Sequence, residues 1–112
     1  MLHKMRLNPE PFTMIENGSK TIELRLNDEK RRMVSVGDTI EFSETDAPDR
    51  KIRVEVTALH SYSSFRELFA ELPKEKCGFG ADETVPDDYM DSFYPREKQE
   101  KYGALGIEFR KI

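Results

Sequence analysis

The chain has 112 residues, which suits one compact domain spanning residues 1–112 and leaves no room for a second sizeable core. It lacks an apolar run of the roughly 20 residues that span a bilayer, and its first residues lack a signal-peptide segment, so we expect a cytoplasmic protein that does not enter membranes. A net charge of −4 argues against binding to duplex DNA, and one cysteine with two histidines predicts neither a metal site nor a cofactor.

The first half of the chain predicts three strands and one helix. Weak alternation predicts a strand over residues 3–7. Asn8, followed by proline, marks the start of a helix that ends near Gly18. A second strand over 20–26 and a third over 39–43 show alternating apolar and polar side chains.

The second half predicts a long strand, an amphipathic helix, two short helices opened by Pro86 and Pro95, and a final strand. The strand over 51–61 forms a hairpin with the preceding one, and Ser63 or Ser64 caps an amphipathic helix. An irregular stretch with short helices leads to the last strand over 104–110. The order favours an α+β, mostly β protein: a small, mostly antiparallel β-barrel with flanking helices. A parallel α/β sheet is disfavoured, because too few strands alternate with helices.

The densest chemical signal is Gly-Ser-Lys-Thr-Ile-Glu-Leu-Arg at residues 18–25. Alternation places Thr21, Glu23 and Arg25 on one side of a strand, and Lys20 at the strand start can reach the same region. Arginine binds a phosphate or carboxylate through two hydrogen bonds, lysine supplies a charge or a base, and glutamate orients lysine or accepts from a nucleobase amine. An exposed cross-strand charge pattern explains the same spacing, so spacing alone leaves both interpretations open.

Four short motifs make the chain resemble the ASCH domain family, which comprises small relatives of the PUA domain. The motifs are residues 18–25, Val-Gly-Asp-Thr-Ile-Glu-Phe at 36–42, Ala-Leu-His at 58–60 leading into Ser-Phe, and Lys-Tyr-Gly-Ala-Leu-Gly-Ile-Glu-Phe at 101–109. The resemblance covers about residues 3–110. It implies a PUA-like β-barrel with a cleft into which Lys20, Glu23 and Arg25 project.

The resemblance implies a module that binds RNA or a nucleotide-like small molecule. Arg25 would face phosphate, and Lys20 and Glu23 would contact the polar edges of a base. The predicted ligand-binding residues are Lys20, Thr21, Glu23, Arg25, Arg31 and Tyr102. Arg31 belongs either to a phosphate-facing rim or to a solvated turn, and Tyr102 either lines the cleft or packs.

The alternative is a small amidohydrolase acting on a modified nucleoside such as N4-acetylcytidine, as in one bacterial branch that the chain resembles. Lys20 would then act as the base and Glu23 as an orienting or proton-transfer group. That branch has a threonine three residues after the lysine, where this chain has Glu23, so the nucleophile is missing. Whether the protein is an enzyme is therefore left open.

Two further features bear on the ligand. Residues 82–91 carry five carboxylates and no base, which predicts a short single strand or mononucleotide rather than a long duplex. His60 continues the inward alternation of Val54 and Val56, so it is interpreted either as a hydrogen-bonded core residue or as the floor of the cleft.

Overall fold

Five strands form one curled, half-barrel sheet in the computed structural model, which describes residues 1–112. The strands are β1 (Leu2–Leu7), β2 (Ile22–Leu26), β3 (Thr39–Glu44), β4 (Lys51–Tyr62) and β5 (Ala104–Lys111). The helices are α1 (Pro9–Glu16), α2 (Phe65–Glu71) and α3 (Arg96–Tyr102), with 3-10 turns at Arg31–Met33, Lys74–Cys77 and Tyr89–Ser92. The predicted strands and the helices α1, α2 and α3 are all present, with ends that differ by at most two residues, whereas the short helix expected to open at Pro86 is a 3-10 turn that begins at Tyr89.

The strand order across the sheet is β1-β3-β4-β5-β2. The predicted β3–β4 hairpin is confirmed, with Ile40 opposite Val54 and Phe42 opposite Ile52. Three of the four strand pairs are antiparallel, while β1 and β3 run parallel because α1 and β2 intervene in the chain. The architecture is thus an α+β, PUA-like half-barrel, and β1 and β2 are its two edge strands.

Each face of the sheet carries its own apolar layer. Phe12 and Ile15 of α1 pack against one face, together with apolar side chains from β1, β3, β4 and β5. Phe65 and Leu68 of α2 pack against the other face, beside Ile22 of β2. Because of these two layers, β2 is buried on both faces of the sheet, including where it carries charged residues. No helix is both long enough and apolar enough to cross a lipid bilayer.

Two helix ends explain how α2 and α3 join the sheet. Ser64 is the N-cap of α2, because its hydroxyl accepts from the Glu67 backbone N–H at 3.1 Å, so the second of the two predicted caps is correct. Gly103 ends α3 with a φ of 76°, and a Cβ there would lie 2.6 Å from the Tyr62 carbonyl oxygen. Only glycine allows this close approach between α3 and the end of β4.

A β-bulge in β4 overturns the predicted orientation of His60. The register shifts between Val56, which pairs with Phe109, and Ala58, which pairs with Glu108. The extra residue reverses the alternation, so Leu59 instead packs against the core on the α1 side. His60 faces the other way, 30% exposed, with its Nε2 2.8 Å from Glu108 Oε1. The inward alternation expected for His60 is therefore wrong.

Asp38 links β1 to the turn before β3 and makes the stability of this corner sensitive to acid. Its carboxylate accepts from His3 Nε2 at 2.8 Å and from the Ser35 backbone N–H at 3.0 Å, which together lower its pKa from 3.8 to about 2. A carboxylate whose pKa is depressed by folding stabilises the protein above the unfolded-state pKa and loses that contribution as the pH falls through the folded-state value.

We expect Asp38→Asn to lower the melting temperature at pH 7, because the amide cannot replace the ionised acceptor of His3. The difference from the unsubstituted protein should shrink between about pH 4 and pH 2, since Asp38 itself becomes protonated there. Thermal unfolding followed by circular dichroism from pH 2 to pH 7 measures both curves. A difference that stays constant down to pH 2 would contradict this role for Asp38.

Candidate ligand-binding cleft

The two edge strands of the half-barrel approach each other across an open seam. Arg25 of β2 bridges this seam, because its Nη2 donates to the backbone carbonyl of Arg6 on β1 at 2.9 Å. A cleft of about 210 Å³ opens beside this contact. We call it the seam cleft; its polar lining is Arg6, Asn8, Lys20, Glu23 and Arg25, and its aromatic lining is Phe79, Tyr89, Phe93 and Tyr94.

One wall of the seam cleft is a buried network of charges. The two oxygens of Glu23 face different cations: Oε1 lies 3.3 Å from Lys20 Nζ, and Oε2 lies 2.9 Å from Arg25 Nη2. Lys20 Nζ also donates to the Cys77 carbonyl oxygen at 2.9 Å. Lys20 and Glu23 are only 7% and 6% exposed, so these contacts fix both side chains in place.

Glu23 is an ionised acceptor at the centre of this network. Burial by itself raises the pKa of a carboxyl group, but the charges of Lys20 and Arg25 and their hydrogen bonds outweigh burial and hold the pKa of Glu23 below its ordinary value. The Leu24 backbone N–H also donates to Oε1, at 3.3 Å. Glu23 therefore presents a fixed negative charge at neutral pH, which is suited to accepting hydrogen bonds.

The strand β2 places these charges inside the protein rather than on a solvated face. Glu23 lies opposite Ile107 and Arg25 lies opposite Leu105, both core residues on the α1 side of the sheet. Ile22 and Leu24 face the α2 side. Alternation correctly predicted that Glu23 and Arg25 share one side of the strand. That side is also buried, because apolar layers cover both sides of β2.

Gly78 allows the backbone to close over Lys20. Its φ is 102°, and a Cβ at this position would lie 3.1 Å from Met14 Sδ and 3.4 Å from Lys20 Cδ. The preceding residue, Cys77, is buried, and burial raises the pKa of its thiol to about 11 although Lys20 opposes that shift. Cys77 therefore contributes its carbonyl oxygen to the network, while its sulfur stays protonated.

A second wall of the seam cleft consists of aromatic rings that the sequence analysis did not identify. Phe79 packs edge-on against Tyr89, with ring centroids 5.0 Å apart, and Tyr89 contacts Phe93 at 5.6 Å. Tyr89 is 38% exposed and Phe93 is 52% exposed. The sequence did contain one signal, namely the aromatic residues interspersed among the acids of this segment. Exposed aromatic rings are suited to stacking on a ligand.

Three of the predicted ligand-binding residues do not line the seam cleft. Thr21 precedes β2, where its backbone N–H donates to the Lys76 carbonyl. Arg31 is held by Asp28, with Nη1 3.4 Å from Oδ2. Tyr102 packs into the apolar layer on the α2 side. The structure thus brings together Lys20, Glu23 and Arg25 and leaves the other three elsewhere.

The curled mixed sheet with a cleft at its open seam defines a PUA-like domain. A family model of the ASCH domain matches residues 5–112, and the chain belongs to that family. No curated protein matches the chain significantly.

Solved structures agree with this assignment. The crystal structure of hypothetical protein PH0355 is 32% identical, with full coverage of both chains and a TM-score of 0.86. The solution structure of protein PF0455 from Pyrococcus furiosus is also 32% identical, covers 100% of this chain and 98% of its own, and has a TM-score of 0.75. ASCH from Zymomonas mobilis, at 19% identity, 97% and 66% coverage and a TM-score of 0.68, shares the fold.

Proposed function

We propose that this ASCH domain binds RNA or a nucleotide-like small molecule in the seam cleft. The observation that carries the proposal is the pairing of two walls across one small cavity. One wall is the buried, ionised network of Lys20, Glu23 and Arg25, and the other is a set of rings that includes the exposed Phe93. Membership of a PUA-like family supports the same ligand class.

The charged wall suits the polar edge of a nucleobase, and the aromatic wall suits its flat face. In the proposed complex the exocyclic amine of a base displaces one of the donors that now hold the ionised Glu23, and Arg25 and Lys20 donate to base oxygens or to a phosphate. The rings of Tyr89 and Phe93 offer flat apolar surfaces on which a base stacks. Hydrogen bonds along the edge of the base and stacking on its face therefore act on the same ligand.

The volume of the seam cleft limits the size of this ligand. At about 210 Å³ it is smaller than the roughly 300–1,000 Å³ of pockets that enclose drug-sized molecules. A single base fits this volume, and a base pair of a duplex does not. The seam cleft is therefore suited to an unpaired nucleotide.

Amide hydrolysis of a modified nucleoside is the second candidate, and the closeness of Lys20 Nζ to Glu23 inside the seam cleft favours it. Binding is the better supported candidate, because no serine, threonine or histidine lines the cleft and the Cys77 thiol has a raised pKa. Lys20 Nζ is also engaged as a donor to the Cys77 carbonyl.

Phe93→Ala tests the binding cleft without disturbing the buried network. We expect it to weaken binding of nucleoside monophosphates and RNA pentanucleotides about 5- to 150-fold, the loss that corresponds to one base–aromatic stack. Chemical-shift or fluorescence titration of the purified protein measures the affinities. Met33→Ala is the matched control, because Met33 is 63% exposed and lies outside the seam cleft.

The outcomes separate the candidates. Affinity that is unchanged in both Phe93→Ala and Arg25→Ala would refute the assignment of the seam cleft as the binding site. Release of cytidine from N4-acetylcytidine by the unsubstituted protein, lost in a folded Lys20→Ala variant, would instead establish the hydrolase.

A further inference from the structure

A second concavity adjoins the seam cleft on the outer face of β1, β3 and β4. Its volume is about 300 Å³, and Pro48 is the one apolar residue among the eight that line it. Arg6 lines both concavities, so its side chain lies at their boundary. We call the second one the polar groove; the residues that matter here are Lys4, Arg6, Ser43, Thr45 and Lys51.

The cations of the polar groove are spaced regularly along an edge strand. Lys4 and Arg6 are both exposed and lie two residues apart on β1, whose intervening Met5 points into the core. Two residues of a strand rise about 6.6 Å, which is comparable to the separation of neighbouring phosphates along an extended nucleic acid strand. Ser43 lies opposite Arg6 in the sheet and adds a hydroxyl donor.

The two carboxylates of the polar groove are neutralised by other partners. Glu41 Oε2 lies 3.0 Å from Arg53 Nη2, and Glu44 Oε2 lies 2.8 Å from Arg50 Nη1. Lys51 Nζ lies 3.7 Å from Glu41 Oε1, which is a longer contact than the other two. Neither Lys4 nor Arg6 forms an ion pair within 4.0 Å, although Lys4 lies opposite Glu41 and its charge helps to lower the pKa of that carboxyl group. Glu41 is thus shared among three cations, and the charges of Lys4 and Arg6 remain accessible to an anion.

We propose that the polar groove binds the phosphodiester backbone of the RNA strand whose base lies in the seam cleft. This inference rests on the proposed function and extends it from a single nucleotide to a short strand. It also predicts the path along which the strand leaves the seam cleft. The aromatic wall is flanked by Asp87, Asp88 and Asp91, which repel phosphate, so the strand leaves the cleft past Arg6 toward Lys4 and Lys51.

A length series tests the polar groove separately from the seam cleft. The ligands, for each of the four bases, are the 5′-monophosphate and the homopolymeric RNA trinucleotide and pentanucleotide. We expect the unsubstituted protein to bind the pentanucleotide about tenfold more tightly than the monophosphate at low salt. The double variant Lys4→Gln/Lys51→Gln should lose most of that gain, lower the salt dependence by about two phosphate contacts and keep its affinity for the monophosphate.

The control is Lys30→Gln/Lys98→Gln, which removes the same charge from two exposed lysines outside both concavities. Circular dichroism of each variant checks that it is folded before binding is compared. Monophosphate binding with no gain from length would overturn the polar groove and leave the seam cleft standing. An equal loss in the control would also overturn the polar groove, because net charge alone would then explain it. Absence of binding to every ligand would overturn both proposals.

Discussion

Replacing Glu23 with alanine is expected to destabilise the fold by about 3–5 kcal/mol, the usual cost of removing one partner from a buried ion pair. Lys20 is a buried residue, only 7% exposed, and the variant leaves its ammonium group with the Cys77 carbonyl as the remaining protein acceptor. Arg25 also loses its two contacts with the Glu23 carboxylate. Urea unfolding followed by circular dichroism measures this loss as a fall in the free energy of unfolding.

Glu41→Ala is the matched control for this prediction. Glu41 is as buried as Glu23, and its pKa is likewise lowered, with burial opposing the effect of its cations. Its partners Arg53 and Lys51 are 61% and 53% exposed, however, so they return to water when the carboxylate is removed. We therefore expect a much smaller loss of stability than in Glu23→Ala. Equal losses in the two variants would show that Lys20 is not trapped by burial.

The expected cost of losing Glu23 bears on what the buried network is for. Buried ion pairs are weak stabilisers compared with apolar residues of similar size, because both charges must leave water. Lys20 and Glu23 are buried, so apolar side chains could occupy their positions. The protein instead keeps ionised groups that line the seam cleft, which favours a role in recognition.

Local periodicity explains why the sequence predicted the fold so closely. The strands β2 and β3 alternate strictly, Ser64 caps α2, and Gly103 ends α3. Each of these signals lies within a few residues of the element that it defines. The bulge between Val56 and Ala58 carries no such signal, because it depends on how β4 pairs with the distant β5.

The site was predictable only where one strand carries it. Glu23 and Arg25 were identified because they share one side of β2, and Lys20 because it lies just before that strand. The aromatic wall, and the carbonyl of Cys77 above Lys20, come from a segment more than fifty residues away along the chain. Such long-range packing cannot be inferred from spacing.

Phe12→Ala is expected to destabilise the protein by about 3–5 kcal/mol, as large core truncations do. Phe12 is 1% exposed and fixes α1 against the half-barrel, with the Arg50 guanidinium 5.0 Å from its ring centroid. Removing the ring leaves a cavity beneath the helix whose Pro11 lines the seam cleft. Such a loss is a large share of the about 5–15 kcal/mol that stabilises a typical domain.

The contrast with Phe93→Ala makes this prediction specific. Phe93 is 52% exposed, so its removal should cost less than about 1 kcal/mol of stability while it weakens nucleotide binding. Phe12→Ala should do the opposite: its folded fraction should bind a monophosphate more tightly than Phe93→Ala does, although its unfolding midpoint in urea falls. If the two variants lost stability equally, the division between a rigid core beneath α1 and an exposed ligand-binding wall would be wrong.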